Sequence, residues 1–124
     1  MAESVLIIED NPGISAVAKF SLEMDGEWQV AIAATANSGV LKARRLNPDV
    51  ILLDSSIKIR EVEVLRRLQN NVKTAKIPVI LFTINRFKSQ KIQRDNTNVI
   101  GIIIKPFDCL NLSAIISDIL NSNA

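Results

Sequence analysis

Apolar runs of four to six residues recur about every 25 residues along the chain, at Val5–Ile8, Val30–Ala34, Val50–Leu53, Val79–Phe82 and Val99–Ile104. Runs this short and unbroken suit strands buried on both faces. The stretches between them carry apolar residues at helical spacing. Such alternation predicts a parallel sheet covered on both sides by helices, a three-layer α/β/α sandwich with five strands and five helices. Asn11-Pro12 supplies a cap and a first-turn proline, after which Ile14, Val17, Ala18 and Leu22 share a face until Asp25-Gly26 ends the first helix. A second helix is expected from about Ser38 to Leu46, with Val40, Leu41 and Leu46 inward and Asn47-Pro48 as the stop. The third runs from near Arg60 to Asn71 with Val62, Leu65 and Leu68 on its stripe. Between Arg86 and Asn98 only Phe87 and Ile92 are apolar among Arg86, Lys88, Lys91 and Arg94, so the fourth helix should be short or loosely docked. The last helix repeats Leu112, Ile115, Ile116 and Ile119 behind Asp108 as its cap. Trp28 is expected to cover the sheet edge or the first helix.

At 124 residues the chain fits a single domain, spanning 1–124, that can bury a core without disulfides. Hydrophobic content of 48% with only 4% aromatics makes that core aliphatic. A net charge of +2 makes no case for nucleic acid or a membrane surface. No run approaches the length of a membrane span, and acids near the start argue against a secretory signal, so a cytoplasmic protein is expected. Cys109 stands alone and is expected to be a small buried packing residue. Histidine is absent, so any chemistry that needs an imidazole must come from a partner.

The chemistry sits where the apolar runs end. Glu9 and Asp10 follow the first, Asp54 closes the third, Thr83 closes the fourth, and Lys105-Pro106 follows the fifth. With the strands in the flavodoxin-like order 2-1-3-4-5, the first and third are neighbours, and ligands bind beyond their carboxyl ends. Three carboxylates there repel one another, and a divalent cation removes that penalty. All-oxygen ligands suit Mg²⁺, or Mn²⁺, and nothing supplies the thiolate or imidazole set that zinc prefers. Metal, hydroxyl and ammonium together suit a phosphoryl group, with a carboxylate as its nucleophile. Taken singly, Lys105 is an ordinary surface lysine, Thr83 an ordinary strand threonine, and Glu9 and Asp10 acids near a helix start. Their weight comes from occurring together.

With these motifs the chain resembles the response-regulator receiver domain, the phosphoacceptor of two-component signalling, over essentially its whole length. The resemblance rests on Ile7-Ile8-Glu9-Asp10-Asn11, Pro48-Asp49-Val50-Ile51-Leu52-Leu53-Asp54, Thr83 and Lys105-Pro106-Phe107. It implies that Asp54 accepts a phosphoryl group from a sensor histidine kinase or phosphotransfer protein. It further implies that Asp10, Asp54 and the backbone carbonyl of Ser56 bind Mg²⁺ with Glu9 assisting, and that Thr83 and Lys105 contact the phosphoryl group. Modification would reshape a surface made by the fourth helix, fifth strand and fifth helix. That surface would bind an unknown output partner or a second copy, with Lys88, Lys91 and Asp118 as contact charges. The resemblance gives no expectation of direct nucleic-acid or membrane contact, and none of enzymatic activity beyond the domain's own phosphoryl transfer and hydrolysis. The chain would be a stand-alone regulator or a receiver from a longer one.

Several positions depart from the family pattern. Ile102 stands where an aromatic residue usually switches, and Ile84 stands where a small residue usually leaves the phosphoryl site open, so partial obstruction is expected. The loop Ser55-Ser56-Ile57-Lys58-Ile59-Arg60-Glu61-Val62 lacks the usual Met-Pro pair and later glycine. Ser56 and Asn85 hold the positions that tune phosphoryl lifetime and offer no base to activate water. These departures leave a pseudo-receiver, an interaction module that does not use phosphorylation, as the alternative. A haloacid-dehalogenase-like phosphatase fits less well, because Ser56 stands where its second aspartate would be. A flavodoxin also fits less well, because Asp10-Asn11-Pro12-Gly13 is no phosphate cradle.

Overall fold

The computed structural model describes residues 3–24, 26–56 and 58–123, so the expected helix stop at Asp25 and the loop residue Ile57 lie outside the described residues. Strands and helices alternate as β1 (Glu3–Ile8), α1 (Pro12–Glu23), β2 (Trp28–Ala33), α2 (Ala36–Leu46), β3 (Val50–Asp54), α3 (Glu61–Gln69), β4 (Val79–Thr83), α4 (Arg86–Asp95), β5 (Val99–Ile104) and α5 (Leu112–Ser122). The sheet is parallel, in the order β2-β1-β3-β4-β5. Among the described residues no helix is long and apolar enough to cross a membrane.

Each central strand feeds two cores, because successive side chains point to opposite faces. Leu6, Ile8, Ile51, Leu53, Val79 and Leu81 pack on one face with Val40 and Ala43 of α2, Val64, Leu65 and Leu68 of α3, and Ile92 of α4. Val5, Ile7, Val50, Leu52, Ile80 and Phe82 pack on the other with Ala18 and Leu22 of α1 and Leu112 and Ile116 of α5. Burying each of these larger aliphatic chains contributes about 1.5–3 kcal/mol. At ten residues α4 is no shorter than α3, at nine, and the weak apolar pattern shows instead in its burial, which is limited to Ser89 and Ile92. Trp28 opens β2, is buried, and donates from its indole nitrogen to Ser113 Oγ of α5 at 2.8 Å.

The helix faces correct four expectations. Val17, Leu41, Leu46 and Val62 are 49–59% exposed, not inward. Small residues, not bulky ones, set the inward faces of α1 and α2. In α1 these are Ser15, Ala18 and Ser21 beside Leu22, and in α2 Gly39 and Ala43 beside Val40. A Cβ on Gly39 would lie 2.7 Å from Ile8 Cδ1, so the close approach of α2 to β1 depends on that glycine. In α3 the buried stripe is Glu61, Val64, Leu65 and Leu68. Val62, one residue from Glu61 and thus about 100° around the helix, faces solvent.

Two further corrections fall before α5. Asp108 does not cap the helix, whose N-cap position is Asn111. Its carboxylate instead accepts from the Leu110 N–H at 3.1 Å and Asn111 Nδ2 at 2.6 Å, closing a turn ahead of the helix. That turn places Cys109 at the surface, where it is exposed, while its carbonyl accepts from Ser21 Oγ of α1.

Arg60 precedes α3 in the left-handed conformation, with φ 57° and ψ 67°. An L-residue there sacrifices about 1–2 kcal/mol, and its ion pair with Glu63 at 3.6 Å is largely exposed and returns little. Arg60→Gly should therefore raise unfolding stability by about 0.5–1 kcal/mol, after the added freedom of glycine in the unfolded chain is subtracted. Urea denaturation monitored by circular dichroism measures this, and an unchanged or lowered midpoint contradicts it.

Candidate functional site

The carboxyl edge of the sheet gathers the predicted residues because parallel pairing aligns the strand ends. Ile8 is opposite Leu53 and Thr83 is opposite Ile104, so Glu9 and Asp54 emerge together and Lys105 follows beyond Thr83. The Lys105 N–H donates to the Thr83 carbonyl at 2.8 Å, holding that strand end in place before the cis Lys105-Pro106 bond. Asn11 caps α1 by accepting from the Gly13 and Ile14 N–H groups, and its own N–H donates to Glu9 Oε2 at 3.2 Å. The cap thus orients the acid as well as the helix.

Glu9, Asp10 and Asp54 each offer an oxygen within 4.8 Å of the others. Glu9 and Asp54 are buried and Asp10 is half-buried. Lys105 Nζ lies 2.8 Å from Glu9 Oε1 and 2.7 Å from Asp54 Oδ1. It also sits 5.0 Å from the centre of the Phe82 ring, which stacks at a tilt on Phe107 with centroids 5.1 Å apart. Burial pushes the Glu9 carboxyl up to about 7 against the pull of Lys105, with the nearby Asp54 adding to the rise. Burial also opposes ionisation of Asp54, but hydrogen bonds from Lys105 and then Glu9 outweigh it and hold Asp54 below its ordinary value. For Lys105, burial disfavours the charge, and the hydrogen bonds to Asp54 and Glu9 overcome this and raise its pKa.

The donor set fits a hard divalent cation. Three carboxylates face one ammonium, an excess of acid in which each unscreened pair costs about 3–4 kcal/mol at an effective dielectric near 20. Among the described residues Asp54 Oδ2 is buried and has no hydrogen-bond partner, an open position that an oxygen-seeking ion would satisfy. The Ser56 carbonyl accepts from the Arg60 N–H at 3.2 Å, which leaves it a second lone pair. Thr83 is fully buried at the same edge, with its hydroxyl bonded to the Asn85 backbone, accepting from the N–H at 2.9 Å. Ile84 is 80% exposed and, with Lys105, Phe107 and Gly13, lines a surface groove of about 560 Å³ beside the acids. Ile102 is half-buried and packs against the core on the α3 side.

Comparison with known proteins gives this arrangement a family. Residues 5–117 match the model of the response regulator receiver domain. The chain belongs to that family. It is similar to the DNA-binding dual master transcriptional regulator RpaA of Synechocystis, 36% identical over 105 residues, covering 84% of this chain and 43% of that protein. It spans about half the length of the curated relatives it matches in this way. Chemotaxis response regulator CheY4 of Vibrio cholerae shares its fold with a TM-score of 0.83 at 20% identity, covering 96% of this chain and 99% of that one. The receiver domain of sensor histidine kinase PA1611 from Pseudomonas aeruginosa superposes with a TM-score of 0.80 at 23% identity, covering 98% and 99% of the two chains, and carries a magnesium ion in its active-site cleft. The chain is thus a receiver domain of two-component signalling, a family that binds Mg²⁺ at an acidic site and works with histidine kinases or phosphotransfer proteins.

Reading the sequence for strand ends overlooked Glu61. This carboxylate is 3% exposed at the start of α3, with Oε1 3.3 Å from Lys88 Nζ of α4 and Oε2 without a partner among the described residues. Its signal was its phase, since Glu61, Leu65 and Leu68 fall on one helical stripe. The pair also alters the expectation for Lys88, whose ammonium faces Glu61.

Burial raises the Glu61 pKa despite Lys88. A raised folded-state value means that the native chain holds this proton more tightly than the unfolded chain. Its contribution to stability is then full below the ordinary value of 4.5 and is lost as pH rises through the folded value. Glu61→Gln should therefore gain stability relative to wild type as pH rises from about 4.5 towards neutrality. Paired urea titrations across that range measure the difference, and parallel curves would refute the assignment.

Proposed function

We propose that the chain is a phosphorylation-dependent receiver in which Asp54 is the acceptor, acting as one domain over residues 1–124 in the cytoplasm. The observation that carries this reading is the division of labour at Asp54. Lys105 holds Oδ1, while Oδ2 is buried without a hydrogen bond among the described residues. One oxygen is anchored and the other is free to react.

Since the chain has no histidine, the donor imidazole belongs to a kinase or phosphotransfer partner. An Asp54 oxygen attacks phosphorus, an O–P bond forms, and the P–N bond breaks with its electron pair going to the imidazole. Asp10, Asp54 and the Ser56 carbonyl would hold Mg²⁺, with Glu9 assisting, and the bound ion would supply neutralising charge to the phosphoryl oxygens. The lowered pKa keeps Asp54 ionised and ready to attack. Lys105, already 2.7 Å from Asp54, can pass from carboxylate to phosphoryl oxygen with little movement.

Thr83 transmits the event. Its hydroxyl must leave the Asn85 backbone to reach a phosphoryl group, and Asn85 caps α4 by accepting from the Lys88 N–H at 3.1 Å. Motion at Thr83 is thereby passed to the start of α4 without an aromatic residue at Ile102. The responding surface of α4, β5 and α5 would bind an output partner or a second copy, with Lys91 and Asp118 as its exposed charges.

With Mg²⁺ and acetyl phosphate, intact-mass spectrometry should show a gain of one phosphoryl group that is lost in Asp54→Ala and without the metal. Lys105→Ala should slow the gain by about a hundredfold, the usual cost of removing a transition-state charge partner. Absence of the gain in wild type would make the pseudo-receiver the correct reading, and its persistence in Asp54→Ala would refute Asp54 as the acceptor.

A further inference from the structure

One face of α2 is turned to solvent with no role in the core. Leu41 lies three residues after Ser38, and Arg44 and Arg45 lie three and four residues after Leu41, which places all four along it. With Lys42, and with Lys73 from the connection between α3 and β4, they line a groove of about 520 Å³. Four of the six side chains are cationic and none is acidic. Among the described residues Arg44, Arg45 and Lys73 enter none of the ion pairs, and Lys42 is held by the Ile32 carbonyl at 2.5 Å. The helix dipole favours Arg44 and Arg45 in the last turn. It accounts neither for Lys73, which comes from another segment, nor for Leu41, which lies 59% exposed in the middle of the cations.

We propose that this groove docks an acidic segment of a partner protein, with an aliphatic side chain of that segment over Leu41 and its carboxylates on Arg44, Arg45 and Lys73. Charge complementarity selects an anion, and the apolar centre selects its type. Single-stranded nucleic acid would need stacking platforms, and the groove has no aromatic lining. A bilayer surface calls for a band of apolar side chains to sink among the headgroups, whereas Leu41 is the one aliphatic residue lining this groove. A peptide with carboxylates flanking an aliphatic residue meets both demands, and arginine pairs carboxylates bidentately. Because α2 runs antiparallel to the strands, its cationic end lies at the amino edge of the sheet, opposite Glu9, Asp10 and Asp54. The docked segment would leave the acidic edge accessible.

The test titrates the full chain into a fluorescein-labelled Asp-Glu-Leu-Glu-Asp-Glu peptide by anisotropy. Saturable binding is expected, weakened at least about tenfold by Arg44→Glu with Arg45→Glu and lost near 1 M salt, where the Debye length is about 3 Å. Arg44→Gln with Arg45→Gln should fall between wild type and the reversal, and thermal melts should show all of these exposed-site variants folded. Replacing the peptide leucine by serine should weaken binding several-fold. The proposal is overturned by absence of saturation, by binding indifferent to both double variants, or by a peptide response indifferent to the leucine. It is equally overturned if an oligothymidylate or phosphatidylglycerol vesicles bind as tightly as the peptide with the same dependence on Arg44 and Arg45.

Discussion

Everything at the reactive edge depends on where one ammonium sits. Lys105 bridges Glu9 and Asp54 at 2.8 and 2.7 Å, and these three groups stand at the carboxyl ends of the first, third and fifth strands, Asp54 closing its strand and Glu9 and Lys105 following theirs. Without that bridge two buried carboxylates would face each other with no counter-charge, a penalty of several kcal/mol. With it, one acid still exceeds what the lysine can satisfy, and among the described residues Asp54 keeps an oxygen unpartnered. The pocket is therefore stable enough to form and incomplete enough to take up further positive charge.

The supporting structure keeps the bridge in place without filling its surroundings. Phe82 lies under the lysine and Phe107 braces Phe82, so the ammonium rests on an aromatic face. Asn11 serves as a helix cap and an orienting donor for Glu9 at once. On the other side of Asp54, the loop turns through Arg60 in a left-handed conformation to deliver Glu61 into the interior. The fold accepts backbone strain and a second buried carboxylate there, and gains a link between α3 and α4 through Lys88.

The strands were legible because residues such as Ile51, Leu52 and Leu53 are buried whichever way they point, so their burial appears as an uninterrupted run. The reactive residues were legible for a related reason, since each marks the end of such a run and parallel pairing brings the ends together. Helix faces were harder. Inward positions of α1 and α2 are chosen for small size, and bulky Val17, Leu41 and Leu46 drew attention to the wrong side. In α3 an acid, Glu61, holds the inward position that an apolar pattern assigns to its neighbour Val62. Cys109 came out exposed because Asp108 forms a turn with Asn111, a matter of local side-chain hydrogen bonding that periodicity does not register.

The assembly of Lys105 with Glu9 and Asp54 has a temporal consequence. A ribosome releases the two acids early and the lysine about fifty residues after Asp54, so a nascent chain without β5 has acids but no counter-charge. The reactive edge is then among the last features to mature, after the final strand has joined the sheet. A partly made chain therefore cannot anchor Asp54, and under the proposed function the capacity to accept a phosphoryl group would arise only with the finished fold.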